Sequence, residues 1–300
     1  MSDTTASLRR KIKGAGDLQS VVRTMKTLAA SNIGQYEQAV LALADYARTV
    51  DLGLSVCFRG IEIPTAMQDA SGAPDTGGIG AIVFGSDQGL VGQFNELIAD
   101  HAVKSLRALT DRPRVWAVGE RVHARLADAG LPPLGLFAVP GSVAAITGLI
   151  GQVLMESEVR DHGNAQLHLF YNRPGSGAVY TPVGQQLLPL DADWYRQLAD
   201  RPWPTKNLPE VMGNEAATVR ALVREYLFVS LFRACAESLA SENASRLAAM
   251  QRADKNIDEL LEALNGTFHR LRQSGIDEEL FDVISGFEAL AGARPQGGRR

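Results

Sequence analysis

A glycine-rich turn is the first place in this sequence where phosphate chemistry would be sought. The segment is Gly85-Ser-Asp-Gln-Gly-Leu-Val-Gly92, and it lies between an apolar run suited to a strand and a stretch with helical spacing. Backbone N–H groups in such a turn can cradle a phosphate at the start of the following helix. The segment is not GxGxxG, however, and it lacks the Gly-Lys-Ser/Thr ending of a P-loop. We therefore favour a tight structural turn over a nucleotide site.

The titratable residues form no recognisable catalytic or metal-binding motif. The acidic cluster Asp277-Glu-Glu279 with Asp282 is more typical of a solvated helix face than of a general acid–base pair. No Ser, Cys or Lys stands beside a plausible base in a nucleophile motif. The histidines are scattered without the HxxxH or HxxE pairing of a metal site: His101, His123, His162, His168 and His269. We expect no catalytic residue, no metal and no cofactor in this chain.

Composition excludes several other classes of protein. The 300 residues carry 30 basic and 34 acidic side chains, a net charge of -4, which argues against a general nucleic-acid binder. No apolar run approaches the roughly 20 residues that span a bilayer, and the first residues lack the pattern of a secretory signal. Cys57 and Cys235 lie far apart, outside any CxxC motif, and are expected to be reduced core residues.

The positions of the prolines predict how the chain is organised. Twelve of the 13 lie between Pro64 and Pro209, so long segments on either side contain none. Proline within a helix costs about 3 kcal/mol, so proline-free arms are candidates for long helices. We expect an N-terminal helix over 1–68, a globular domain over 69–208, a C-terminal helix over 209–291 and a basic tail over 292–300.

Both arms carry apolar residues at the seven-residue spacing of a coiled coil. The row in the first arm is Leu8, Ala15, Val22, Ala29, Tyr36, Leu43 and Val50, and that in the second includes Met250, Ile257, Leu264 and Leu271. Asp254 and Gly275 interrupt the second row, and an apolar face continues beyond it through Ile276, Leu280, Val283, Ile284 and Phe287. Glycines weaken these helices by roughly 1 kcal/mol each, and Gly275, a possible bend, carries a further stop signal. Unbroken arms would be about 75 and 120 Å long, against a diameter of roughly 50 Å for a compact chain of this size. The alternatives are a paired shaft, which we favour, and a bundle of shorter helices.

The middle segment predicts a mostly parallel α/β sheet covered by helices on both faces. Apolar runs predict strands over 79–84, 114–118 and 134–139, and helical spacing follows each of them over 95–109, 120–129 and 143–159. Two further strands, 165–171 and 178–190, are expected to form a hairpin through Pro174-Gly-Ser-Gly177. The fold class is therefore α/β, with a Rossmann-like domain inserted between the helices of a long antiparallel coiled coil.

Five collinear segments resemble the gamma subunit of the F-type, or rotary, ATP synthases. The most specific is Ser238-Leu-Ala-Ser-Glu-Asn-Ala-Ser-Arg-Leu-Ala-Ala-Met250, which is similar to the family's SLASExxARMxAM. Ser86-Asp-Gln-Gly-Leu-Val-Gly-Gln-Phe-Asn95 resembles its SDRGLCGGLN turn. The others are 186–190, 25–31 and 272–276, so the resemblance covers nearly the whole chain.

The resemblance implies a structural function in a large assembly. In relatives, the paired helices stand inside a ring of alternating alpha and beta subunits, while the α/β domain lies beside the epsilon subunit and the membrane c-ring. The implied function is a non-catalytic central-stalk rotor that transmits torque, bound peripherally at the cytoplasmic face of the bacterial inner membrane. The alternative is a nucleotide-binding α/β enzyme whose helical arms serve for oligomerisation.

The resemblance also implies which residues touch the ring. Met25 and Lys26 match family contacts with the beta subunit, and Arg272 and Gln273 match positions that face the ring's loops. Lys26 is suited to an acidic segment of beta, through exposed ion pairs worth about 0.2–1 kcal/mol each. Asp277 departs from the threonine that is common among relatives.

Overall fold

The computed structural model describes residues 4–59, 78–159, 166–175, 179–190, 192–207, 209–210 and 214–292. These residues form a mixed α/β protein with a long helix near each terminus and a sheet between them. The elements in chain order are α1 (Thr5–Phe58), β1 (Ile79–Phe84), α2 (Phe94–Arg107), β2 (Arg114–Val118), α3 (Glu120–Asp128), β3 (Gly135–Phe137), α4 (Val143–Val159), β4 (Gln166–Pro174), β5 (Tyr180–Leu188), α5 (Ala192–Ala199) and α6 (Glu215–Gly292).

The two terminal helices are each continuous. Helix α1 has 54 residues and passes through Gly14 and Gly16, and α6 has 78 residues and passes through Gly275. Gly275, a possible bend in the sequence, does not interrupt α6, and the alternative of a bundle of shorter helices is wrong. A single glycine costs a helix only about 1 kcal/mol, whereas a lasting break needs proline or a competing turn. Helix α6 begins later than 209 because the side chain of Asn214 accepts a hydrogen bond from the Ala217 N–H at 3.2 Å.

The chain divides into two compact units, of which the first comprises 1–27 and 250–300. Here α1 and α6 run antiparallel, since the Arg9 guanidinium lies 5.3 Å from the centre of the Phe268 ring and Lys26 contacts Asp254. Most members of the predicted seven-residue rows in this unit are buried: Leu8, Ala15 and Val22 on α1, and Met250 and Ile257 on α6. Leu264 is half-buried and Leu271 is exposed, so the seam weakens toward the end of the pair. The coiled-coil pattern therefore marks a real apolar seam.

The second unit, 28–249, contains the five-stranded sheet. Its strand order is β3-β2-β1-β4-β5, with β1 parallel to both β2 and β4 and only β5 antiparallel to its neighbour. One face of β1 presents Ile82 and Phe84 to α4 and to the part of α6 around Leu231. The other presents Ala81 and Val83 to α2 and α3. The predicted sheet, with both faces covered, is confirmed.

Most predicted elements agree with the structure to within a few residues, but α5 was missed. It is an eight-residue helix whose Tyr195 stacks on Phe58 with ring centres 4.2 Å apart, in a cluster with Val50 and Leu54. A helix this short is marginal by its own propensity and depends on tertiary packing, which sequence periodicity does not reveal. The centre of the predicted hairpin turn, 176–177, lies outside the described residues.

Candidate functional site: turn, helix pair and free helix end

The glycine-rich turn uses its polar side chains to join elements of its own domain. The Ser86 N–H donates to Asn95 Oδ1 at 2.9 Å, and Asn95 Nδ2 donates to Ser86 Oγ at 2.9 Å. Asp87 accepts two backbone N–H groups, from Glu120 at 3.0 Å and from Val139 at 2.9 Å. One of these bonds caps the start of α3, and the other holds the chain after β3. The turn therefore acts as a brace between β1, α2 and α3, as the structural interpretation predicts.

The segment 238–250, which carries the strongest resemblance, packs α6 against that brace. Ser241 Oγ lies 3.0 Å from the carbonyl oxygen of Asn172, at the carboxyl end of β4, and 2.8 Å from that of Glu237 on its own helix, so its one proton is shared between the two. Ser245 Oγ donates to the carbonyl oxygen of Val91 in the glycine-rich turn. These bonds attach one helix to two chain segments far away in sequence, so the small hydroxyl residues of the motif serve close packing.

A buried ion pair lies in the same segment. Arg246 Nη2 is 2.6 Å from Glu242 Oε1, and the two side chains are only 12% and 7% exposed. Burial raises the pKa of the Glu242 carboxyl, while the nearby Arg246 guanidinium opposes that rise and Asp87 adds to it. The ionised form of Glu242 therefore depends on Arg246, and the pair stabilises the fold; it does not form a catalytic site.

Of the four predicted interface residues, Met25 and Lys26 lie half-buried in the helix pair of the first unit. Lys26 Nζ is 2.8 Å from Asp254 Oδ2, and Arg23 Nε is 3.0 Å from Asp254 Oδ1. The sequence showed Asp254 only as an interruption of the apolar row. The structure makes it the centre of a cluster, in which the hydrogen bonds from Lys26 and Arg23 lower the pKa of its carboxyl.

Replacing Asp254 with Asn is expected to weaken the first unit most at neutral pH. A lowered pKa means that the folded state favours the ionised carboxyl, so this stabilisation is present above the ordinary Asp pKa of about 3.9 and is lost as pH falls through the lowered value. Thermal unfolding of wild type and Asp254→Asn, compared at pH 7 and near pH 3.5, should show a difference in Tm that shrinks in acid. Asp45→Asn, at an exposed carboxylate on α1, is the control. A pH-independent difference would contradict the assignment.

Arg272 and Gln273 lie elsewhere on the helix pair. Both are exposed on α6, and Arg272 is 18 positions beyond Asp254, which corresponds to about 27 Å along the helix. The structure therefore does not bring them together with Met25 and Lys26. The two predicted pairs lie at two separate levels of the same antiparallel unit.

The free end of α6, residues 276–287, is a feature whose exposure sequence reasoning missed. Phe268 lies beside Arg9, and α1 as described begins only four residues before Arg9, so no described helix accompanies α6 beyond about residue 273. Six large apolar side chains are exposed there, with Phe281 at 70% and Phe287 at 76%: Ile276, Leu280, Phe281, Val283, Ile284 and Phe287. The continuing apolar row was visible in the sequence, but the register that leaves it uncovered was not.

The described residues contain neither a metal-binding cluster nor a membrane-spanning helix. Within the described ranges, no group of three His, Cys, Asp or Glu side chains is arranged to hold a metal ion. None of the helices in the described part of the chain has a stretch long and apolar enough to cross a bilayer.

Solved structures with a similar fold come from rotary assemblies. A chain from the Euglena gracilis mitochondrial ATP synthase, in a structure of OSCP, F1 and c-ring, matches with a TM-score of 0.65 at 17% identity, over 99% of this chain and 97% of that one. A chain from a rotor structure of the same complex matches with a TM-score of 0.59, also at 17% identity, over 91% and 98%. At these identities the likeness is one of fold.

Relatives identified by sequence also align with nearly the whole of this chain. An ATP synthase gamma chain of Nocardioides sp. is 25% identical over 308 aligned residues, spanning 98% of this chain and 99% of that protein. One of Mycolicibacterium paratuberculosis is 26% identical, spanning 98% and 100%. The family model described as ATP synthase matches residues 4–290. Because that match takes in both long helices and the whole sheet between them, the chain belongs to the ATP synthase family.

Proposed function

We propose that this chain is the gamma-type rotor subunit of an F-type ATP synthase. It transmits torque between a membrane c-ring driven by ion flow and a catalytic hexamer of alpha and beta subunits, with an epsilon subunit beside its α/β domain. The observation that carries the proposal is the free end of α6, whose six exposed apolar side chains need a surrounding partner. An apolar rod end enclosed by a ring is what a rotor requires.

The names of the relatives support this assignment. Full-length matches are called ATP synthase gamma chain, and the structures of similar fold are described as central stalk and rotor. The proposed division of the chain follows from the same role: shaft helices over 1–68 and 209–291, an α/β domain over 69–208 and a tail over 292–300. The two helices form the part that enters the ring, and the sheet domain forms the foot.

The chain itself is proposed to be non-catalytic. The family's complexes make or hydrolyse ATP, whereas in this chain the polar side chains of the glycine-rich turn 85–92 hydrogen-bond within their own domain. Asp87 and Asn95, the polar side chains best placed to meet a ligand there, instead bind backbone groups of the same domain. Catalysis is assigned to the surrounding subunits, and torque to this one.

Membrane association is proposed to be indirect. The family assembles at membranes, and the sequence relatives compared above are bacterial, which supports a peripheral position on the cytoplasmic face of the inner membrane. The c-ring would provide the attachment. Release of the chain by low-salt washing together with the alpha and beta subunits would be consistent with such attachment.

Met25, Lys26, Arg272 and Gln273 are proposed to contact the ring. Lys26 shares its charge with Asp254 at 2.8 Å, so a second carboxylate from the beta subunit would complete an existing cluster. Such partly exposed pairs are weak, at about 0.2–1 kcal/mol each, and weak contacts allow a turning bearing to move.

The assembly itself is the first test. A tagged chain purified from its native membranes after gentle extraction is expected to bring alpha and beta subunits with it in a 1:3:3 ratio, measured by quantitative mass spectrometry. A chain that is recovered only as a free monomer, although alpha and beta are present in the same extract, would contradict the proposed function.

Met25→Lys tests the ring contact. The change puts a third cation beside Arg23 and Lys26, and we expect it to reduce ATP-driven ion pumping several-fold while ATP hydrolysis falls by less than about twofold. Pumping and hydrolysis are measured on the same inverted membrane vesicles. Leu41→Lys, an exposed apolar residue on the same helix, is the control. An unchanged number of ions pumped per ATP hydrolysed would remove Met25 from the interface.

A further inference from the structure

Two rows of residues at seven-residue spacing lie on the inward side of α1. One is the apolar row through Leu8, Ala15 and Val22, which is buried. The second is apolar at all but two positions, and every member is buried or half-buried: Ile12, Gln19, Lys26, Ile33, Val40, Ala47 and Leu54. A coiled-coil seam has apolar residues in both rows, so Gln19 and Lys26 are polar exceptions in this one.

The seam of α6 has a polar exception of its own. Asp254 lies between the buried Met250 and Ile257, at the four- and three-residue spacing of a seam, and its side chain is only 13% exposed. Lys26 Nζ donates to Asp254 Oδ2 at 2.8 Å, and Gln19 Nε2 donates to Asp254 Oδ1 at 3.4 Å. The polar exceptions of the two helices therefore meet each other within the first unit.

Leu18 and Met25 offer the same seam an apolar alternative, one residue before each polar exception. At 100° per residue, Gln19 and Lys26 lie about 50° to one side of Val22. Leu18 and Met25 lie about 50° to its other side, so a modest rotation of α1 about its axis would exchange the two pairs. Leu18 is nevertheless 54% exposed. Burial of apolar surface by itself would favour the opposite arrangement, so another interaction determines the rotation.

We propose that Asp254 is a positioning residue that sets the rotation of α1 in the first unit, so that Leu18 and Met25 stay outside the seam. Arg23 adds a further donor from α1, with its Nε 3.0 Å from Asp254 Oδ1. A carboxylate that is mostly buried needs such partners, and rotation toward the apolar alternative would move them away from it. A single polar residue in a coiled-coil seam fixes how the helices pair, at some cost in stability.

The rotation determines which residues of α1 a surrounding partner can reach. With Asp254 in place, Met25 lies at the edge of the seam and Leu18 is open to solvent. Without it, both would turn inward and Lys26 would turn outward. The consequence for the ring rests on the proposed function, because it takes Met25 as a ring contact. The placement itself depends only on contacts within this chain.

The test is the reactivity of a cysteine at position 18 in the full-length chain. We expect Leu18→Cys to react with a maleimide at least about threefold more slowly when Asp254→Leu is added, because rotation carries position 18 into the seam. Leucine continues the apolar row of α6, so the helix pair is retained. Ser20→Cys, exposed on the far side of α1, is the control and should react equally in both backgrounds. Cys57 and Cys235 are buried, so the introduced thiol gives the signal.

Two further variants separate rotation from a general loss of stability. Asp254→Ala removes the carboxylate without adding bulk, and it should slow the reaction at position 18 in the same direction. Asp254→Glu keeps the carboxylate and should restore the wild-type rate. Loosening of the helix pair would leave a thiol at this exposed position equally reactive or more so, whereas only burial slows it.

An unchanged or faster reaction of Leu18→Cys in both the Asp254→Leu and Asp254→Ala chains would overturn the inference. Equal slowing by Asp254→Glu would do the same, because the carboxylate would then not be the cause. Ions pumped per ATP hydrolysed are measured separately, on membrane vesicles that carry the Asp254→Leu complex. If the reaction slows but this ratio is unchanged, Asp254 positions α1 as inferred, and it is the proposed ring contact of Met25 that fails.

Discussion

Gly85→Ala is expected to destabilise the sheet domain by about 3 kcal/mol or more, and to leave little soluble protein. A Cβ at position 85 would lie 2.3 Å from Val122 Cβ and 2.7 Å from Asn95 Oδ1. Val122 is fully buried on α3, and its Cβ is attached directly to the backbone, so no side-chain rotation relieves the contact. The helix would have to move away from the sheet.

That movement would also break the brace. The turn is held by the reciprocal bonds of Ser86 with Asn95, and displacement of α3 breaks the bond that Asp87 accepts from Glu120. Gly89→Ala is the matched control, because the nearest atom to its Cβ is 3.9 Å away, at the end of the flexible Arg121 side chain. The measurement is Tm by circular dichroism, together with soluble yield. Equal stability of the two variants would show that α3 packs less closely than described.

Arg246→Met is expected to destabilise the chain by about 3 kcal/mol. The methionine is similar in size and apolar, but it leaves the Glu242 carboxylate in a site that is only 7% exposed with its cation gone. The double variant Glu242→Gln/Arg246→Met should recover much of that loss, because the remaining amide carries no charge. Denaturant unfolding of all four members of the cycle gives the coupling between the two residues.

The sign of the pH dependence follows from the raised pKa of Glu242. Burial raises that pKa and Arg246 opposes the rise, so the Arg246→Met variant should have a pKa that is higher still. A carboxyl with a raised pKa in the folded state is most favourable when protonated. The deficit of Arg246→Met should therefore be small near pH 4, close to the ordinary Glu pKa of about 4.3, and should grow as pH rises. A deficit that is constant from pH 4 to 8 would mean that packing alone is lost.

Proline positions and apolar spacing, which are properties of each segment alone, predicted most of the helices and strands correctly. The absence of proline outside 64–209, apart from Pro295, predicted two long helices, and apolar runs of strand length predicted β1 and β2 at the residues where they occur. These features depend on intrinsic propensity and on a periodicity that each segment carries in itself. The motif 238–250 and the glycine-rich turn were also visible in advance, although their mutual contact through Ser245 and Val91 was not.

Where segment-by-segment prediction was incomplete, contacts with residues far away in sequence usually determined the structure. Gly275 carries a turn signal, yet α6 continues through it, since a single glycine costs a helix only about 1 kcal/mol. Asp254 appeared as a defect in an apolar row, but Lys26 and Arg23 from the other helix make it an ion-pair centre. Helix α5 exists because Tyr195 finds Phe58, 137 residues earlier in the chain.

The sequence by itself therefore determined the two long helices, the strands and every helix of the middle segment except α5. It also determined which family the chain resembles, and that its glycine-rich turn lacks the residues of a nucleotide site. Only the tertiary structure shows at which residue of α6 its packing against α1 ends. Because α1 as described begins at Thr5, beside the Phe268 region of α6, the apolar and acidic residues beyond it have no helix against them. Helix formation depends on neighbours in sequence, whereas exposure depends on which remote atoms come within contact distance. For that reason an apolar row that follows the coiled-coil pattern in the sequence is, at 276–287, exposed and not packed against another described helix.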